Sequence, residues 1–167
     1  MGDYAAGLSV VDLPRRRVLA RQGRYVLRLD PRERDLIREL LGELRELLTL
    51  NPNDPRVRRL YPAAYAEDPE LEDEYQRLTQ KELRSGRLAS VDAVEASVDA
   101  DLLDADQLTA WMQAVNALRL ILGTMLDITE DDEELDFDPS HPEARTMALY
   151  GYLGGLLDEI VDVQLDG

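Results

Sequence analysis

The sequence predicts a mainly α fold: a helical bundle of about four main helices around a central apolar helix, with a small N-terminal β-hairpin. Three observations carry this. Apolar residues recur at three- and four-residue spacing in separate stretches along most of the chain. Cap-and-proline signals precede them, as in Asp30-Pro31-Arg32-Glu33 and Asp104-Ala105-Asp106-Gln107. One stretch, Leu108 to Leu126, contains Arg119 as its only charge, the pattern of a helix enclosed by others.

The hairpin is read at 15–29, with the pairing segments Arg17–Arg21 and Arg24–Leu29 flanking Gln22-Gly23, where glycine supplies the positive φ of a tight turn. Tyr25, Leu27 and Leu29 are expected on one face, Val26 and Arg28 on the other. Asp30 caps the first helix, Pro31 suits its first position, and Ile37, Leu40, Leu44 and Leu47 form its stripe until Asn51-Pro52 stops it. Pro52, Pro55, Pro62 and Pro69 make 51–69 a loop with at most one short helical turn. From Pro69 to about Ala100 one long helix is favoured over two shorter ones. Leu71, Tyr75 and Leu78 give one stripe, Leu88, Val91 and Val98 a second, and Gly86 marks a bend between them.

The central helix carries Leu108, Trp111, Val115, Leu118, Leu122 and Met125 on its stripe. Residues 129–139 follow as an acidic loop, with seven acids in the nine positions 130–138. Ser140-His141-Pro142-Glu143 is expected to cap the last helix, whose stripe is Leu149, Leu153, Leu156, Ile160 and Val163. Gly151, Gly154 and Gly155 would let another helix approach it closely. The whole is read as a single domain over 1–167, with 1–14 flexible and 30–165 forming the bundle; its 167 residues suffice to bury roughly 70% of the unfolded surface.

Composition removes several kinds of chemistry. The chain has no cysteine and one histidine, so disulfides, thiolate metal sites, cysteine nucleophiles and two-histidine metal sites are excluded. No phosphate loop, dinucleotide fingerprint, nucleophile elbow or zinc-protease motif occurs. No cofactor and no metal are expected. The opening MGDYAAGLSVVDLP lacks the basic and apolar regions of a secretory signal, and Gln113, Asn116 and Arg119 interrupt the longest apolar stretch. A cytoplasmic protein without a membrane span is therefore expected.

The net charge of −16 resolves into +4 over residues 1–60 and −20 over the remainder. The surface should thus present two faces of opposite sign. Arg15, Arg16, Arg17, Arg21, Arg24 and Arg28 gather on or beside the hairpin, a face that could meet an anionic partner. Only Tyr25 could stack on a base there, and balancing of nearby acids is the simpler role.

Other candidates weigh less. His141 stands in a cap sequence without a serine or cysteine partner motif. The run 130–138 lacks the glycine and terminal glutamate of a calcium-binding loop. Trp111 is read as core. Arg119 is the most informative charge, because a guanidinium on so apolar a helix needs partners. It either forms a structural ion pair with an acid of the 67–74 cluster or lines a polar pocket with Asn116 and a tyrosine.

Three segments carry a family resemblance: Arg58-Arg59-Leu60-Tyr61-Pro62, Glu74-Tyr75-Gln76-Arg77-Leu78-Thr79, and the run from Trp111 to Thr124 containing Asn116-Ala117-Leu118-Arg119 and Leu122-Gly123-Thr124. With the hairpin and Tyr150-Gly151-Tyr152-Leu153, they resemble the actinobacterial family called domain of unknown function two thousand and seventeen, over about residues 15–163. The 18 arginines against a single lysine, Lys81, agree with such a source. The resemblance implies a cytoplasmic protein encoded beside the Clp protease adaptor. It also implies kinship with oxidative-stress transcriptional regulators that act with RNA polymerase sigma factors and sense redox state through a cysteine pair. That pair has no counterpart here. Arg59, Tyr61, Arg77, Asn116 and Arg119 match the family's polar positions and form the candidate binding site. The function expected is that of a non-enzymatic regulatory or adaptor protein, its partner a sigma factor or the Clp machinery. A small-ligand binder or enzyme around Arg119, or a DNA-binding regulator using the hairpin, is the alternative.

Overall fold

A computed structural model describes residues 15–128 and 138–167. Strands β1 (Val18–Arg21) and β2 (Arg24–Leu27) are followed by α1 (Pro31–Leu50) and a 3-10 segment (Pro55–Leu60). Then come α2 (Pro69–Ser97), β3 (Leu102–Leu103), α3 (Ala105–Met125) and α4 (Ala144–Leu165). The expected flexible segment 1–14 and all but the last two residues of the acidic loop 129–139 lie outside the described residues.

The hairpin forms in the expected register, Val18 opposite Leu27 and Ala20 opposite Tyr25. Its turn has φ of 50° at Gln22 and 77° at Gly23, both left-handed, which matches the twist of two paired strands. The sequence reading missed a third strand. Leu102-Leu103 pairs antiparallel with Val26-Tyr25, and this covers the edge of β2.

Asp30 accepts from the Glu33 amide at 2.8 Å, and the Glu33 side chain accepts from the Asp30 amide at 2.9 Å, completing the box that starts α1. Ile37, Leu40, Leu41, Leu44 and Leu48 are buried. The helix α2 runs unbroken through Gly86, but it buries only Ser90, Val91, Val94 and Ser97. The expected first stripe is not core: Leu71 is 46% and Leu78 68% exposed. That half of α2 extends beyond the reach of α3 and meets only the loop before it, as where Tyr65 sits edge-on to Tyr75.

Helix α3 is the centre. It packs against α2, α4 and the 3-10 segment. Asp104 and Gln107 form its capping box. Trp111 is fully buried, and its indole nitrogen donates to the Ser97 hydroxyl at 2.9 Å. Burying that ring removes apolar surface from water while its one polar atom stays satisfied.

The expected cap of α4 does not form. Glu143 occupies the N-cap position without a side-chain bond to the helix. The Ser140 hydroxyl donates to Asp138 at 2.7 Å, and His141 Nδ1 accepts from the Glu143 amide at 3.0 Å. These bonds close a turn before the helix and leave Ser140 unavailable to it.

Arg17 ties the two ends of the bundle's open side. Its Nε donates to Glu33 of α1, and its backbone amide donates to Glu159 of α4 at 2.8 Å. Beyond that tie α1 and α4 part. Between them lies a groove of about 600 Å³, lined by Leu40, Leu47, Leu118, Leu122 and Leu149. Among the described residues no helix is long and apolar enough to cross a membrane.

Candidate functional site

The five family-matching residues do not form one site. Arg119 lies against Tyr150, and Arg59 and Tyr150 both approach Gly123; Tyr61 and Arg77 face elsewhere.

Helical periodicity places Asn116, Arg119 and Gly123 on one side of α3. The Arg119 guanidinium lies 4.9 Å from the centre of the Tyr150 ring on α4. Its Nε is buried and has no hydrogen-bond partner among the described residues. The expected ion pair with the 67–74 acids is absent among those residues; a cation–π contact takes its place. Arg59 approaches Gly123 of α3 from the 3-10 segment. It donates through Nη2 to the Ile128 carbonyl. A Cβ at position 123 would stand 3.2 Å from Arg59 Nη1 and 3.3 Å from Tyr150 Cε2. Glycine at 123 therefore makes room for both side chains. A Cβ at Gly154 would stand 3.5 Å from Arg119 Nε, whereas Gly151 and Gly155 face open space. The close approach expected at Gly151 and Gly155 is thus found at Gly123, where side chains rather than another helix come near. Asn116 is half-buried one turn before Arg119.

Tyr61 is buried on the other side of the 3-10 segment, beside α2. Burial pushes its hydroxyl above the usual tyrosine range, and the nearby Arg84 and Arg87 pull it back. Its hydroxyl has no hydrogen-bond partner among the described residues. Arg87 donates to the Leu60 carbonyl at 2.9 Å, and burial lowers its affinity for the proton. Arg77 is exposed on the projecting half of α2. The groove between α1 and α4 takes in none of the five residues.

The six hairpin arginines divide. Arg17 turns into the body: its hydrogen bond to Glu33 raises its proton affinity, and its guanidinium lies 5.1 Å from the Tyr152 ring centre. Arg16 meets Asp162 at 3.7 Å. Arg15, Arg21, Arg24 and Arg28 are exposed, and the described residues form no ion pair with them. Glu33, Glu159 and Asp162 lie against the base of this face, which lowers its pull on phosphate.

Sequence reasoning missed the roles of Tyr150, Gly123 and Arg87. A glycine late in a helix that is otherwise closely packed was the available signal for Gly123; nothing in the sequence distinguishes Arg87 from the solvated arginines around it. Among the described residues no group of three or more histidine, aspartate or glutamate side chains is placed to hold a metal. His141 is exposed and engaged in its own turn.

The family model described as domain of unknown function (DUF2017) matches residues 15–164. Proteins named oxidative stress regulator AosR, from Mycobacterium bovis and Mycobacterium tuberculosis, are 29% identical to the chain over a 187-residue alignment. The alignment covers 87% of this chain and 85% of theirs. No solved structure matches.

Proposed function

Since the chain belongs to the DUF2017 family, we propose that it is a stress-linked regulatory protein that works by engaging a partner protein and performs no chemistry of its own. The observation that carries this is its likeness, along nearly its whole described length, to proteins named oxidative stress regulators. The partner is a component of transcription or of Clp proteolysis, as the family resemblance implies. The contrast between a +4 N-terminal segment and a −20 remainder supports recognition by charge as well as by shape.

The chain has no cysteine, so no thiol switch resides in it. The oxidant signal therefore enters through the partner or through the amount of this protein. The test is affinity capture of the tagged chain from its native cytoplasm, with and without peroxide, followed by mass spectrometry. One stoichiometric partner is expected in at least one of these conditions. Recovery of no stoichiometric partner in any growth or stress condition would overturn the reading.

A second reading has one observation in its favour, the buried and partnerless Nε of Arg119 beside Arg59. A buried guanidinium with an unused donor, and a second arginine nearby on Gly123, suit a small carboxylate or phosphate. Calorimetric titration with inorganic phosphate and with succinate tests it: millimolar or tighter binding that Arg119→Met abolishes supports a ligand site.

A further inference from the structure

The groove between α1 and α4 has half-buried Leu36, Leu47 and Leu149 along its sides above a buried floor. Met125 of α3 is 44% exposed at its mouth, and Leu118 and Leu122 lie on its floor. Its long wall is α1 from Leu36 to Asn51, about 22 Å of helix at 1.5 Å per residue. Lining residues recur there at three- and four-residue intervals, the ridge spacing into which a second helix packs.

The edge of that wall is acidic, and only in part balanced: Glu43 lies near enough to Arg56 to raise the proton affinity of that guanidinium. Glu39, Glu43 and Glu46 follow one another at four and three residues, all exposed, and none is in an ion pair among the described residues. Like charges at this spacing repel. Glu46 also stands near the C-terminal end of α1, where the helix dipole disfavours an anion, and the last turn of α1 holds no basic residue. Against this edge the opposite rim offers the exposed Arg145 and Arg56, the latter already bound to Asp54 at 2.9 Å.

We infer that the groove is the docking site for an amphipathic helix of the partner protein. The apolar face of that helix lies on Leu36, Leu47, Met125 and Leu149, and a row of lysines or arginines along its edge faces Glu39, Glu43 and Glu46. Charge complementarity selects this occupant over an acidic one, and the length of the wall sets it at about fifteen residues. The inference rests on the reading that the protein acts through a partner.

The test uses the full chain and three fluorescein-labelled sixteen-residue helical peptides. One has leucines at three- and four-residue spacing with lysines along one edge, one replaces those lysines by glutamates, and one scrambles the first. The lysine-edged peptide should bind at least tenfold more tightly than either control. The triple variant Glu39→Lys, Glu43→Lys, Glu46→Lys should invert the preference between lysine and glutamate edges, and Met125→Glu should weaken binding at least fivefold. Thermal melts followed by circular dichroism confirm that each variant folds. A second triple variant on the exposed face of α2 (Asp73→Lys, Glu74→Lys, Glu82→Lys) changes net charge equally and should leave the preference as it was.

Absence of binding, equal binding of all three peptides, or an equal response to the two triple variants would overturn the inference. So would binding that appears only after residues 130–137 are deleted, or a dimer broken by Met125→Glu; these would assign the groove to the chain itself or to a second copy. If the groove variants still capture the native partner at full yield, the docking site is wrong while the proposed function stands.

Discussion

Arg34 donates through Nη1 to the carbonyl of Val98 at 2.7 Å, joining the first turn of α1 to the end of α2, 64 residues away. The same guanidinium donates to the Ala100 carbonyl and, through Nε, to the Leu29 carbonyl, each at 2.9 Å, and its side chain is only 11% exposed. One side chain thereby satisfies the frayed end of α2 and the exit of the hairpin together. Arg34→Ala should cost about 3 kcal/mol in urea unfolding, because several carbonyls lose their donor at once. Arg34→Lys should recover less than half of that loss, since an ammonium lacks the planar fork that reaches them.

Glycines at 86 and 123 should respond in opposite directions. Gly86 lies within α2 with nothing near its missing Cβ. Gly86→Ala should stabilise the protein by about 0.5–1 kcal/mol through the backbone freedom removed from the unfolded chain. Gly123→Leu should destabilise it by about 2 kcal/mol, because Arg59 and Tyr150 already fill that space. Paired thermal melts check both.

Arg119→Met should separate stability from function. It removes a charge whose buried Nε has no partner and keeps the length of the side chain. Melting temperature should hold or rise by a few degrees, consistent with a gain of about 1 kcal/mol. Anion binding at this position should fall at least tenfold. Arg77→Ala, at an exposed position, should move neither readout.

Alkaline pH should expose the two buried tyrosines. Burial first, then the Glu33 carboxylate, pushes the Tyr152 hydroxyl well above the ordinary value of 10.0, and burial raises Tyr61 as well. A raised folded-state value means that the unfolded chain gives up its proton first. Their contribution is therefore complete below about pH 10 and is lost as pH rises further. Unfolding free energy should decline from pH 10 to 11.5, and Tyr152→Phe should make the decline shallower. The same variant should be neutral or stabilising at pH 7, because the hydroxyl has no geometric hydrogen-bond partner.

Much of this architecture was legible because local signals were strong. Asp30 and Asp104 each announced a helix start that the structure confirms bond for bond. Arg119 as the one charge between Leu108 and Leu126 marked α3 as central. What failed required knowledge of neighbours. The Leu71–Leu78 stripe has the spacing of a core face, but α3 is too short to cover it, and periodicity records amphipathicity without saying whether anything lies opposite. Leu102-Leu103 is too brief to show alternation, so β3 exists only because β2 offers it an edge. Ser140 carried a cap signal, and Asp138, two residues earlier, captured it. For the candidate site, Arg59 and Arg119 were identified as residues, but the contact of Arg119 with Tyr150 and the approach of Arg59 to Gly123 depend on how α4 and the 3-10 segment pack on α3, which no local pattern encodes.

The uneven burial of α2 gives one continuous helix two lifetimes. Amides near Val91 and Val94 sit beneath fully buried side chains, so they exchange with solvent only when the whole domain opens. Those between Glu70 and Glu82 are shielded by no buried side chain and exchange through local fraying. Deuterium uptake across this single helix should therefore break sharply near Leu88. A partner that settles on the exposed half would register first as slowed exchange there, before any change in shape could be seen.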